Sequence, residues 1–120
     1  MLDALRRDNP DVDLARAAAR VWDWLSDPNH RDLLTLWMEG YARSLVDPAG
    51  VWSRFAEVTV ADWLAVLARY EPAATRRTFA GAAQRSAVLA LLRGALLDLL
   101  ATGDVKRTTA AVHQQLATLH

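Results

Sequence analysis

Apolar residues recur at steps of three and four along most of the chain, and short polar breaks separate the segments that carry this pattern. Such spacing places side chains on one face of an α-helix. No stretch alternates apolar and polar residues over the length of a strand. The pattern predicts an all-α fold in one domain, 1–120, with five helices at about residues 11–25, 30–46, 51–70, 76–102 and 105–118.

The breaks between these segments contain residues that end or begin helices. "SDPN" at 26–29, "DPAG" at 47–50 and "EPAAT" at 71–75 each contain a proline, which disfavours helical dihedral angles in the residue before it. Gly103 is suited to the end of the long fourth helix, and Asp104 can cap the helix that follows. We therefore expect the last two helices to form an antiparallel hairpin.

The fourth helix contains the longest apolar run, from Ala87 to Ala101. About 15 residues give about 22 Å of helix, whereas a bilayer core is about 30 Å thick. Arg93 and Asp98 lie inside the run, and each would cost about 2.5–3.5 kcal/mol in lipid. A membrane span is excluded for this segment, which leaves burial within protein.

Composition narrows the range of functions. Lys plus Arg and Asp plus Glu each number 14, so the chain has no net positive charge to attract nucleic acid or anionic lipid. Cysteine is absent, which excludes disulfides and thiolate metal sites and favours a reducing compartment. The N-terminal "MLDALRRDNPDVD" is too charged for a signal peptide. We expect a cytoplasmic protein.

Signatures of enzyme chemistry are missing from the sequence. The three histidines, His30, His113 and His120, lie in different segments without the spacing of metal ligands. The serines lie outside any Gly-x-Ser-x-Gly motif, and the five glycines form no phosphate-binding loop. We expect no catalytic residue, no metal and no cofactor.

The aromatic residues are concentrated before residue 80, and the final third of the chain has none. Two interpretations remain open. The rings can simply fill the core of a small helical domain, or helices lined by rings and a few polar groups can enclose an apolar pocket for a small molecule.

The helix predicted at 76–102 carries alanine and leucine on all its faces, and the neighbouring helices are too few to cover it. An exposed apolar patch of this kind is typical of an interface. We predict that two copies of the terminal hairpin pack as a four-helix bundle in a homodimer. The alternative is an unusually wide core within one chain. The predicted interface residues are Leu89, Leu92, Leu96, Leu100, Val105, Thr109, Val112 and Leu116.

The phrase "LALLRGALLDLLATGD", followed by "VKRTTAAVHQQL", resembles the C-terminal regulatory domain of the tetracycline-repressor (TetR) family of transcriptional regulators. The earlier "DLLTLWMEGYARSLVDP" and "VWSRFAEVTVADWLAVL" are similar to the ligand-domain helices of that family. The resemblance covers roughly residues 11–119 and includes a glycine in the long helix, Gly94, and the Gly103-Asp104 turn.

The resemblance implies a homodimer and an effector pocket between the long helix and the helices before it. The family's N-terminal helix-turn-helix is not present in this sequence, so we expect DNA contact only through such an absent region, and the ligand to be a small apolar or aromatic molecule. The residues expected to line the pocket are Trp22, Leu34, Trp37, Met38, Tyr41, Phe55, Thr59, Trp63 and Gln84.

Two other functions stay open on the sequence. One is a free-standing helical protein that binds or converts a hydrophobic metabolite without contacting DNA. The other is a purely structural dimerisation module. Arg93 and Asp98 can contact a ligand, but pairing across an interface or extension of the side chain to solvent accounts for them more simply.

Overall fold

A computed structural model describes residues 13–119 of the protein, and these residues form helices and turns without any strand. The predicted all-α class is confirmed. The helices are α1 (Leu14–Leu25), α2 (Arg31–Val46), α3 (Phe55–Ala68), α4 (Ala73–Arg76), α5 (Phe79–Thr102) and α6 (Val105–Leu116), with a 3-10 turn at Pro28–His30. The predicted start of the first helix at residue 11 lies outside the described residues.

The third helix begins four residues later than the sequence pattern predicts. Turn hydrogen bonds continue past the proline-containing break, from Gly50 N to Asp47 O (3.1 Å), from Ser53 N to Gly50 O (3.1 Å) and from Phe55 N to Trp52 O (2.9 Å). Trp52 therefore lies in a turn and is 44% exposed. The apolar spacing continues through this turn, although the backbone is not yet helical.

The fourth predicted helix, 76–102, begins three residues later than expected. A separate one-turn helix, α4, precedes it and begins after Pro72, inside the predicted break at 71–75. The long helix α5 begins at Phe79, where the Thr78 hydroxyl accepts a hydrogen bond from Gly81 N (3.0 Å). Gly81 also allows a close approach, because a Cβ on this residue would lie 2.1 Å from the Thr75 carbonyl oxygen. This close contact packs α4 against the first turn of α5.

The hairpin of α5 and α6 has the predicted turn. Gly103 adopts the left-handed conformation with φ of 70° and ends α5, and the Asp104 side chain accepts a hydrogen bond from Arg107 N (3.1 Å) at the start of α6. Arg107 also donates two hydrogen bonds to Asp98 on α5, at 2.9 and 2.5 Å. These hydrogen bonds lower the pKa of the Asp98 carboxyl, and Asp98 in turn raises the pKa of Arg107.

The core forms around α5, which packs against α1, α3, α4 and α6, while α2 packs mainly against α3. The apolar stripe of α1 is buried and consists of Leu14, Ala17, Ala18, Val21, Trp22 and Leu25. Trp22 is fully buried, and its indole N–H donates to the Thr109 hydroxyl of α6 (2.9 Å). The first and last helices of the described chain are therefore joined both by apolar packing and by a hydrogen bond.

A buried ion pair lies where α3, α4 and α5 meet. Glu71, which is 4% exposed, accepts a short hydrogen bond at Oε1 from Arg85 of α5. Arg85 also donates to the Arg76 carbonyl oxygen (3.0 Å). In the described part of the chain, no group hydrogen bonds to the other carboxylate oxygen, Oε2. Arg85 is therefore the charge that compensates Glu71.

Within residues 13–119, none of the helices combines the length and apolar character needed to cross a membrane.

Candidate functional site

An apolar cavity of about 270 Å³ lies between α1, α2, α3 and α5. The four helices enclose it because each turns part of its apolar face towards the same space. The residues that line it are Val21, Trp24, Leu25, Leu33, Leu34, Trp37, Trp63, Leu89, Leu92, Arg93 and Leu96. Leu33 lies at the edge and is 56% exposed. The cavity is therefore accessible from solvent on the α2 side.

Three indole rings form much of the wall, from Trp24, Trp37 and Trp63. The Trp24 ring is held by the imidazole of His30, which stacks on it with 4.0 Å between centroids. His30 Nδ1 also lies 2.7 Å from the Trp24 carbonyl oxygen, so the 3-10 turn after α1 is fixed against this tryptophan. Flat, apolar walls of this kind favour a ligand with an extended apolar surface.

Arg93 provides the polar group at this site. It projects from α5 and is half-buried, and its Nη1 donates to the hydroxyl of Tyr41 on α2 (3.0 Å). Among the described residues no carboxylate lies within ion-pair distance of Arg93. Asp98, five residues later on α5, pairs with Arg107 instead. The guanidinium is therefore at the cavity without a compensating acidic side chain from residues 13–119.

An open groove continues from the cavity along α2 and α5. It shares Trp37 and Arg93 with the cavity and is otherwise lined by Thr35, Met38, Glu39, Tyr41, Ala42, Leu45, Ala90 and Leu97. Arg93 thus lines both the half-open apolar cavity and the adjoining groove.

The structure brings together only part of the pocket predicted from the sequence. Leu34, Trp37 and Trp63 line the cavity, and Met38 and Tyr41 line the adjoining groove. The other four predicted residues lie outside both linings.

Each of those four residues has a different local role. Trp22 packs against α6. Phe55 has an edge-to-face contact with Trp52, and the Thr59 hydroxyl donates to the Phe55 carbonyl oxygen (2.7 Å). Gln84 is half-buried on α5. Neither of the two linings includes these four residues.

Sequence reasoning missed most of the contribution of α1, and it treated Arg93 as a ligand contact only as the less simple alternative. Val21, Trp24 and Leu25 line the cavity, although only Trp22 was expected there from this helix. The signal was present, because Val21 and Leu25 belong to the apolar stripe and Trp24 lies three residues after Val21. The helical period alone does not determine whether Trp22 or Trp24 faces a given neighbouring helix.

The residues predicted at the dimer interface are mostly in the core of the single chain. Leu89, Leu92 and Leu96 of α5 are at most 4% exposed and line the cavity. Val112 and Leu116 of α6 are also buried, whereas Leu100 and Thr109 are half-buried and Val105 is exposed. These buried side chains belong to one core cluster with residues of α1 and α3, so an interface between two chains would have to use another face of α5.

The opposite face of α5 is exposed and carries small and apolar side chains. We call it the outer face of α5; its residues are Ala83, Ala87, Ala90, Gly94, Leu97 and Ala101, of which Ala90 and Leu97 also line the groove. They are spaced by fours and threes, the period of a helix–helix seam. A Cβ added to Gly94 would meet no atom within 4 Å, so nothing in the same chain covers the helix there.

No group of three His, Cys, Asp or Glu side chains arranged to hold a metal ion occurs in the part of the chain that the structure describes. Neither a protein-family model, nor a curated protein, nor a solved structure matches this chain.

Proposed function

We propose that this protein is the effector-binding and homodimerisation domain of a transcriptional regulator similar to the TetR family. In this proposal a small hydrophobic ligand occupies the cavity, and DNA is contacted only through an N-terminal helix-turn-helix that this sequence does not contain. The protein acts without catalysis and in the cytoplasm.

The observation that carries the proposal is the apolar cavity against α5. It lies between the long helix and the helices that precede it, which is where the resemblance implies an effector pocket. Tryptophan rings and leucines line it, and a single arginine provides a directional polar contact. Such a combination of apolar walls with few polar groups is typical of small-molecule sites.

The arrangement of helices also supports a regulatory role. α1 and α2 contribute Trp24 and Trp37 to the wall, while α5 contributes Leu92 and Arg93. A ligand that contacts all of these helices favours the relative arrangement of helices to which it binds more tightly. The size of this effect is the difference between its binding free energies for the two arrangements. Ligand binding would in this way change the geometry of whatever region α1 is connected to.

The ligand part of the proposal is tested by narrowing the cavity at its edge. Leu33→Trp places a larger ring at the rim, and we expect it to weaken binding of an apolar ligand by about tenfold or more, since the indole competes for the same volume. Leu36→Trp is the matched control, because Leu36 is a similarly exposed leucine of α2 outside the cavity lining. Its affinity should stay within about twofold of the original.

Isothermal titration against a panel of aromatic and aliphatic natural products measures both affinities. Absence of any binder for the unmodified protein would contradict the ligand proposal. Equal affinities for all three proteins would place the ligand somewhere other than this cavity.

The dimer part of the proposal concerns the outer face of α5. Ala87→Arg should convert a dimer to a monomer, because a charge buried in an apolar interface without a partner costs about 3–5 kcal/mol, or more than about a hundredfold in affinity. Arginine is a good helix former, and Ala87 is exposed in the single chain, so folding should be preserved.

Ala61→Arg makes the same change at an exposed position of α3 and should leave the dimer intact. Sedimentation equilibrium of the three proteins at micromolar concentration gives their masses, and circular dichroism reports their helix content. An unmodified chain that sediments as a monomer would refute the dimer, and a dimer in both variants would refute the outer face of α5 as its interface.

A further inference from the structure

The cavity has one charged side chain in its lining, and this charge has no acidic partner among the described residues. Arg93 lies beside leucines and indole rings, and Tyr41 is its hydrogen-bond partner. Water stabilises a half-buried cation in apolar surroundings less than it stabilises an exposed cation. An anion placed beside the half-buried cation is therefore bound more strongly than an anion at the surface. The site is therefore electrostatically suited to a ligand with a negative group.

We propose that the cavity selects an amphipathic carboxylic acid, whose carboxylate binds the Arg93 guanidinium while its apolar body lies between the tryptophan rings. This inference rests on the proposed function, since it names the chemical class of the ligand in the same cavity. It goes further because it assigns the preference for an acid to Arg93 of α5, which lines both the cavity and the groove.

The donors of Arg93 and Tyr41 match a carboxylate. Arg93 uses Nη1 for the Tyr41 hydroxyl at 3.0 Å, and a guanidinium has five N–H donors in a planar arrangement. The Tyr41 oxygen accepts that bond, which leaves its own O–H able to donate. Two neighbouring side chains can thus donate to the two oxygens of one carboxylate, at the place where the cavity meets the groove.

The acidic side chains near the site do not oppose this binding strongly. Glu39 also lines the groove but is exposed, so water and salt screen its charge. Among residues 13–119, no Asp or Glu lines the cavity itself. An anionic ligand in the cavity therefore meets a cation at its polar end and apolar atoms elsewhere.

The experiment uses acids paired with neutral amides of the same shape. Naphthaleneacetic acid with naphthaleneacetamide provides a flat body, and octanoic acid with octanamide provides a linear one. Isothermal titration at neutral pH should show each acid that binds to be at least about tenfold tighter than its amide, which is the size expected for a charge-assisted hydrogen bond.

Three variants assign this preference to its source. Arg93→Met should lower the affinity of the acid to that of the amide and leave the amide affinity unchanged, which also shows that the cavity is intact. Arg93→Lys should keep part of the preference, because a lysine retains the charge but not the planar pair of donors. Arg69→Met removes an exposed arginine at the end of α3 and should change neither affinity.

The outcomes separate this inference from the function on which it rests. Equal affinity of the unmodified protein for acid and amide overturns the anion preference and leaves the cavity as a ligand site. A preference for the acid that persists in Arg93→Met also overturns it. If neither member of either pair binds, while natural products in the panel above do, the carboxylate proposal alone falls; if nothing binds, both proposals fall.

Discussion

Trp22→Ala is expected to lower the free energy of unfolding by about 3–5 kcal/mol, a large fraction of the stability of a small domain. The Trp22 ring is fully buried between α1 and the helices around it. Its removal leaves a space that neighbouring helices can fill only in part, and it deletes the 2.9 Å hydrogen bond to Thr109. Urea unfolding followed by circular dichroism measures the loss.

Two further variants define what Trp22 contributes. Trp22→Phe keeps most of the ring but loses the N–H donor, so its cost should lie well below that of alanine. Phe79→Ala removes an aromatic ring that is 92% exposed, and it should change stability by no more than about 0.5 kcal/mol. A cost for Trp22→Ala as small as that for Phe79→Ala would contradict the packing of α1 against α6.

Arg85→Met should destabilise the protein by about 3–5 kcal/mol, because the buried Glu71 carboxylate then has no ion-pair partner within residues 13–119. The Arg76 guanidinium donates only to the backbone carbonyl oxygen of Glu71 (3.2 Å), and Oε2 has no hydrogen-bond partner among the described residues. Arg85 also holds the Arg76 carbonyl oxygen, so the junction of α4 with α5 loses a second contact. The measurement is again the free energy of unfolding in urea.

The double variant Glu71→Leu, Arg85→Met separates the charge effect from loss of packing. Removing both partners eliminates the uncompensated charge, and exchange of a buried ion pair for apolar side chains is often close to neutral. We therefore expect the double variant to recover most of the stability lost by Arg85→Met. A double variant as unstable as the single one would show that the pair does not act through its charges.

Features that depend on neighbouring residues in the sequence could be predicted well. Gly103 ends α5 in the left-handed conformation and Asp104 caps α6, as their residue types indicate. The buried stripe of α1 also follows from its helical period. The start of α3 could not be predicted, because the apolar residues have the same spacing in the hydrogen-bonded turn before the helix as in the helix itself.

Features that depend on which helix covers which face were beyond the sequence. Leu89, Leu92 and Leu96 form an apolar row that fits an interface between chains as well as a core, and only the positions of α1 and α3 show that one chain buries them. The same is true of Trp22 and Trp24, which point to different neighbours. Arg93 could be noticed as a charge in an apolar run, but its place at the cavity required the position of α2 and Tyr41.

Through its two tryptophans, α1 contacts both the cavity and α6. Trp24 lines the cavity and Trp22 hydrogen bonds to α6, although the described part of α6 contributes nothing to the cavity lining. Amide hydrogens in α6 exchange with solvent only as often as its packing opens, and α1 is part of that packing. An occupant of the cavity that holds α1 in place therefore slows exchange in α6, a helix that it never touches.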